Sequence, residues 1–264
     1  MTFHVTIARE GRWKLFETEP AQRAAVRAVC RSYGARLLLY CVVDDHIHAV
    51  VRGDRADVGR ATAGLQHVLR RRIAPREGSG PFTEPARIRP VESRTHLEHL
   101  VGYVIGQPTR HGLAISAARW QGSCFQDLVG ARTVGSFDST AIGRHLPRLT
   151  PEHLWAAAGM PPLEPLAMDQ IEAFGPRGIV QAAAAAHLAP SDLSGRARDA
   201  VEARALACGM LHLVGVPSER IASIVGCSVR TARRRRRPPE QHLRAALLQL
   251  AIARHVRLEA TRRS

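Results

Sequence analysis

The stretch from Ala35 to Arg52, ARLLLYCVVDDHIHAVVR, constrains this chain most, because so apolar and β-branched a run reads as strand. The Asp44-Asp45 pair in its middle leaves two readings: two strands joined by a tight turn at Val43–Asp45, or one strand with a bulge. Other elements fall around it. FHVTIAR, residues 3–9, alternates as a strand does, and EPAQRAAVRAVCRSYG repeats apolar residues at helical spacing up to Gly34. VGRATAGLQHVLRRRIA reads as a second helix, followed by a glycine- and proline-broken loop, PREGSGPFTEP, and then a strand, ARIRPVES. THLEHLVGYVIGQ predicts a third helix with Thr95 as its N-cap, a stripe of Leu97, Leu100, Val101 and Val104, and Pro108 closing it. The expected order is β-α-β-β-α-β-α, an α+β sandwich with helices over a mainly antiparallel sheet.

Residues 133–195 read as a partly structured connector between a domain over 1–132 and a second over 196–264. From Arg196 the pattern is helical: ARDAVEARALACGMLHLVG, SERIASIVG, SVRTARRRRR and EQHLRAALLQLAIARHVRLEATRR. In SERIASIVGCSVRTA, Ile221 and Ala222 precede Gly226 at a tight turn, and Ser228 can cap a helix holding Val229 and Ala232. That is the layout of a helix-turn-helix in an all-α domain, whose recognition helix would carry or adjoin Arg230, Arg233, Arg234, Arg235, Arg236 and Arg237.

The formal charge of +15 favours a polyanionic partner, nucleic acid first. No apolar run reaches about 18 residues, and MTFHVTIAREGRWK lacks the order of a signal peptide, so the expectation is a cytoplasmic, nucleoid-associated protein with no membrane partner. The five cysteines form no Cys-x-x-Cys pair and are expected to be free thiols.

His46 and His48 are two apart on a strand and so point to one face, where two imidazoles can grip one ion. Asp44 joins that face as a further ligand if the strand runs unbroken. On the third helix Tyr103 and Gln107 are four apart and share a face, offering a phenol and an amide oxygen to the same centre. Arg70, Arg71, Arg72, Arg76, Arg87, Arg89 and Arg110 are candidates to neutralise phosphates.

Together, CVVDDHIHAVV, the helix with YVIGQP and its continuation TRHGLA resemble the insertion-sequence-200-like single-tyrosine transposases, above all their REP-associated branch. That branch carries Met-Pro-Asn-His-x-His on a strand and Tyr-Ile-x-x-Asn-Pro on a helix, then Val-Arg-x-Gly-Leu. Tyr103, Val104, Gln107, Pro108, Arg110, Gly112 and Leu113 stand in register with the helix motif, His46 and His48 with the strand motif. ARWQGSCFQDLVGAR is similar to a further family segment through Trp120, Ser123 and Gly130, while Phe125 replaces a tyrosine and Val43-Asp44-Asp45 replaces Met-Pro-Asn. The resemblance spans residues 1–132. It implies a ferredoxin-like HUH domain, with Tyr103 as nucleophile and His46, His48 and Gln107 holding Mg²⁺ or Mn²⁺.

The implied activity is cleavage and transfer of single-stranded or hairpin DNA through a covalent 5′-phosphotyrosine. Independently of the resemblance, the helix-turn-helix layout and its arginines make duplex DNA the expected partner of the C-terminal domain, with a homodimer as a further option. The alternatives are a catalytically inactive or domesticated DNA-binding regulator, and an RNA-binding or toxin-like nuclease using the histidines as acid and base, which leaves Tyr103 and Gln107 unexplained.

Overall fold

A computed structural model describes residues 1–8, 14–72, 85–235 and 237–263. Most of the expected loop PREGSGPFTEP, with Arg76, and the whole of Arg236 lie outside the described residues, as does the side chain of Arg72. The chain forms two compact units, one of Met1–Val129 with Val134–Pro162, the other of Gly130–Thr133 with Leu163–Ser264.

The first unit is α+β, and its leading elements follow the expected order: β1 (Thr2–Ala8), α1 (Glu19–Tyr33), β2 (Leu37–Val42), β3 (His46–Arg52), α2 (Arg55–Arg72), β4 (Arg87–Pro90) and α3 (Arg94–Ile105). The four strands pair antiparallel in the order β2-β3-β1-β4. The Asp-Asp pair makes a turn: Val43 N–H donates to the His46 carbonyl at 3.0 Å, which closes β2 onto β3. The register puts Thr6 opposite His48, Ala8 opposite His46, His4 opposite Arg89 and Thr6 opposite Arg87. Paired residues share a face, so these side chains project together, while Phe3, Val5 and Ile7 are buried on the other face, which α1 and α2 cover.

The third helix departs from expectation at both ends. Its N-cap is Ser93, whose hydroxyl accepts from His96 N–H at 3.0 Å, and not Thr95. It ends at Ile105, and α4 (Gln107–Arg110) starts a new turn. Pro108 sits in the first turn of α4, where its missing N–H costs nothing, so it opens a helix where the sequence suggested a stop.

Beyond α4 the chain docks on the free edge of β2. Val42 N–H donates to the Gly122 carbonyl at 2.9 Å, Trp120 Nε1–H donates to the Val42 carbonyl at 2.7 Å, and Cys124 N–H donates to the Tyr40 carbonyl at 3.0 Å. A Cβ at Gly122 would stand 2.1 Å from the Val42 oxygen, so only glycine allows this approach. Edge groups that would otherwise lack partners are thereby satisfied. α5 (Phe125–Leu128), α6 (Ala141–His145) and α7 (Pro151–Ala157) complete the unit, with Phe125 edge-on to Trp155 at 5.0 Å between ring centres. Residues expected to be a connector are therefore divided: 134–162 pack into the first unit and 163–195 into the second.

The second unit is helical: α8 (Gly175–Ala186), α9 (Arg198–Leu213), α10 (Ser218–Val225), α11 (Val229–Arg234) and α12 (Glu240–Arg263). Ile179, Ala183, Leu206, Ala207, Met210, Ile221 and Leu250 belong to its core. α10 ends on Gly226 in the left-handed region (φ 68°), and the Ser228 hydroxyl caps α11 by accepting from Thr231 N–H at 3.1 Å. The helix expected to run through the arginine tract stops at Arg234, because Pro238 and Pro239 lie just ahead and a residue before proline disfavours helical backbone. Among the described residues no helix is long and apolar enough to cross a membrane.

Candidate functional site

The sheet register and α3 build one cleft of about 260 Å³, lined by His4, Thr6, His46, His48, Arg87, Arg89, Tyr103, Gln107 and His111. Four of the residues singled out from the sequence, His46, His48, Tyr103 and Gln107, therefore come together. His46 and His48 are each only 3 % exposed and their Nε2 atoms face each other at 2.9 Å. Tyr103 stands edge-on to the His48 ring at 5.3 Å between centres, and the Arg110 guanidinium lies 5.1 Å from the Tyr103 ring centre. Gln107 is buried, and its amide donates to the Tyr103 carbonyl at 3.1 Å.

Burial holds the His48 imidazolium down to a pKa of about 2, helped by the neighbouring His46 and His4, while the adjacent Gln107 side chain acts the other way. Burial, then His96 and Arg89, lowers His4 to about 4. His48 and His4 are therefore neutral near pH 7, with lone pairs to offer.

The pair fits a divalent ion. In an octahedral ion with bonds of about 2.1 Å, adjacent donors are roughly 3.0 Å apart, close to the separation observed. His46 Nδ1 is bonded to the Asp45 carboxylate, which only accepts, so the proton sits on Nδ1 and Nε2 presents a lone pair to the cleft. The Gln107 amide oxygen is a suitable hard third donor.

Asp44 does not join them. It lies in the turn, its backbone oxygen accepts from Leu15 and Phe16 N–H at 2.7 and 2.9 Å, and its carboxylate is 3.4 Å from Lys14 Nζ. Its ligand atom groups instead with those of Asp45 and His111, all within 4.8 Å of one another, beside the His46 ring. The condition of an unbroken strand is not met.

No family model, curated protein or solved structure matches the chain. The site has to be read from its own geometry.

That geometry singles out one tyrosine. Of the three in the chain, Tyr33 and Tyr40 are 1 % and 0 % exposed, with hydroxyls bonded to Thr62 Oγ1 at 2.9 Å and Asp127 Oδ2 at 2.7 Å. Tyr103 alone lines the cleft.

The arginines sort unevenly. Arg87 and Arg89 line the cleft because β4 pairs with β1, and Arg110 reaches it through Tyr103. Arg70 and Arg71 are exposed on α2 and do not line it. In the second unit Arg230, Arg234, Arg235 and Arg237 are exposed, whereas Arg233 is ion-paired with Glu219 at 2.8 Å.

Sequence reasoning missed His4, Thr6, Asp45 and His111. His111 had a signal, standing four residues beyond Gln107 and eight beyond Tyr103. His4 and Thr6 had none, since only the β1–β3 register brings them to His48.

Proposed function

We propose that this chain is a metal-dependent, single-tyrosine DNA endonuclease and strand-transferase of the HUH kind, with a C-terminal helix-turn-helix unit that binds duplex DNA. The observation that carries the reading is the cleft in which Tyr103, the one tyrosine not buried, stands against a pair of converging Nε2 atoms. The β-α-β-β-α-β order and the strand order β2-β3-β1-β4 support the ferredoxin-like part of the reading.

In this reading Tyr103 gives up its phenol proton to solvent as Oη attacks a backbone phosphorus, the bond to the 3′ oxygen breaks, and that oxygen leaves as a hydroxyl after taking up a proton from solvent. The products are a 5′-phosphotyrosine and a free 3′ end, and the reverse reaction rejoins strands. His46, His48 and Gln107 would hold Mg²⁺ or Mn²⁺, which when bound polarises the phosphate and offsets charge in the transition state. Arg87, Arg89 and Arg110 hold the neighbouring phosphates and keep the scissile one in line with the phenol. In the second unit, the glycine turn and Ser228 cap support the helix-turn-helix reading, with Arg230, Arg234, Arg235 and Arg237 available to phosphates and base edges. A protein that meets chromosomal DNA in this way acts in the cytoplasm, at the nucleoid.

The test is incubation with a fluorescent hairpin DNA and Mn²⁺, followed by denaturing electrophoresis. A covalent adduct is expected from the natural protein and none from Tyr103→Phe, which keeps DNA affinity because only the nucleophilic oxygen is lost. An adduct that survives this substitution refutes Tyr103 as the nucleophile; none from the natural protein on any single-stranded or hairpin substrate refutes the enzymatic reading and leaves a DNA-binding regulator.

A further inference from the structure

We propose that Cys208 and Cys227 form a redox modification site, a thiol pair that a peroxide converts to a reversible disulfide, and that this bond weakens duplex binding. The bond stands on the geometry of the second unit alone; its effect on DNA rests on the helix-turn-helix reading above.

The two sulfurs lie 3.9 Å apart, Cys208 on α9 and Cys227 in the turn between α10 and α11. Cys227 stands between Gly226, whose left-handed backbone ends α10, and Ser228, whose hydroxyl caps α11. Both cysteines line one cleft of about 280 Å³ with Arg204, Ser228, Thr231 and Arg235, ample room for a molecule little larger than water. Their exposure differs. Cys208 is 1 % exposed and belongs to the core of the unit, whereas Cys227 is partly open to solvent. Burial, then the neighbouring Cys227, pushes the Cys208 thiol up to about 12, against the pull of Arg235 and Arg204. Cys227 is therefore the sulfur that meets the oxidant, and Cys208, protonated near pH 7, the one that resolves. Cys30, Cys41 and Cys124 are 0 % exposed, out of the oxidant's reach.

Cys227 gives up its proton and its sulfur attacks one peroxide oxygen: the S–O bond forms, the O–O bond breaks, and the departing hydroxide takes up that proton as water. Cys208 then attacks the sulfur of the sulfenic acid. The S–S bond forms, the S–O bond breaks, and the hydroxide that leaves takes the Cys208 proton as a second water. Two thiols are oxidised by two electrons and one peroxide is reduced. An added dithiol reverses the bond by exchange and is itself oxidised. A disulfide holds its sulfurs about 2.05 Å apart, so the bond closes about 1.9 Å of the gap. Cys208 is packed in the core, so the turn moves and carries the capped start of α11 with it. Hydrogen bonds hold their strength over a range of only about 0.5 Å, and a larger shift takes Arg230 and Arg234 out of register with phosphates and base edges.

The experiment uses the full-length protein, reduced and then treated with hydrogen peroxide. Mass spectrometry of the digested chain should show the peptides of Cys208 and Cys227 linked and lighter by two hydrogen atoms, and dithiothreitol should separate them. Duplex affinity should fall roughly 10-fold on oxidation, the loss of about one good contact, and return with dithiothreitol. Cys227→Ser should hold the affinity of the reduced protein through the same treatment; should it fail to fold, Cys208→Ala takes its place. Three results overturn the proposal: no link between these two cysteines, a link that leaves duplex affinity unchanged, or a Cys227→Ser protein that loses affinity to peroxide as the natural one does. A reduced protein that binds no duplex at low salt refutes the helix-turn-helix reading and with it the effect on DNA, while the linked peptides still decide the bond.

Discussion

The Nε2 atoms of His46 and His48 lie 2.9 Å apart, each 3 % exposed, at the bottom of a cleft whose wall carries Tyr103. One imidazole leaves an ion without its paired donor. His46→Ala and His48→Ala should therefore each abolish Mn²⁺-dependent cleavage, while the C-terminal unit stays folded and duplex affinity is unchanged. Cleavage assays and duplex titration on the same preparations check this; Mn²⁺-dependent activity in either variant contradicts the assignment.

Tyr33 and Tyr40 are buried, with their hydroxyls bonded inside the unit. Tyr33→Phe and Tyr40→Phe should keep the covalent adduct in full. Each removes a buried hydroxyl bond, to Thr62 or to Asp127, and should cost about 1–3 kcal/mol in urea unfolding, the larger loss at Tyr40, whose partner is a carboxylate.

Arg230 and Arg234 are exposed, whereas Arg233 is tied to Glu219. In the full chain, Arg230→Ala and Arg234→Ala should each weaken duplex binding and lower the salt slope by about 1. Arg233→Ala should do less, because its guanidinium must first leave a carboxylate. Equal effects at all three positions would remove the distinction drawn from the ion pair.

Gly226 takes a left-handed conformation at the turn between α10 and α11, with open space where a Cβ would stand. Gly226→Ala meets no clash, yet should destabilise the second unit by about 1 kcal/mol from backbone strain. Thermal unfolding reads this, and a neutral result would show that the turn can relax.

Burial, and secondarily His242, lowers His187 to a pKa of about 4, with Glu202 opposing. Below its ordinary value of about 6.5 the unfolded chain binds a proton that the folded unit resists, so stability is fully present above pH 6.5 and lost as pH falls towards 4. The loss approaches on the order of 3 kcal/mol by pH 4. Urea unfolding of His187→Gln should show a shallower decline between pH 6.5 and 4 than the natural protein; identical slopes refute the assignment.

How much of this was legible depended on the range of the interaction. The Asp44-Asp45 interruption, the Gly34 stop and the Gly226–Ser228 turn are local backbone chemistry and could be read directly. Ser93 and not Thr95 caps the third helix: both hydroxyls can cap, and only the folded backbone decides which one precedes the first turn. How residues 133–195 divide between the two units is not legible in the sequence, because the helices there are short and gain their order from packing, as Trp155 does against Phe125.

Strand alternation and helical spacing by themselves put His46 with His48 and Tyr103 with Gln107, since side-chain direction follows from each element's own period. Only the tertiary structure decided that these pairs share one cleft, that His4 and Arg89 line it while Asp44 turns to Lys14, and that Tyr33 and Tyr40 are buried. Those facts depend on pairing register across 44 residues between His4 and His48, and on which helix covers which face of the sheet. Such contacts are chosen by the burial of the whole apolar surface at once, and no local pattern carries that information.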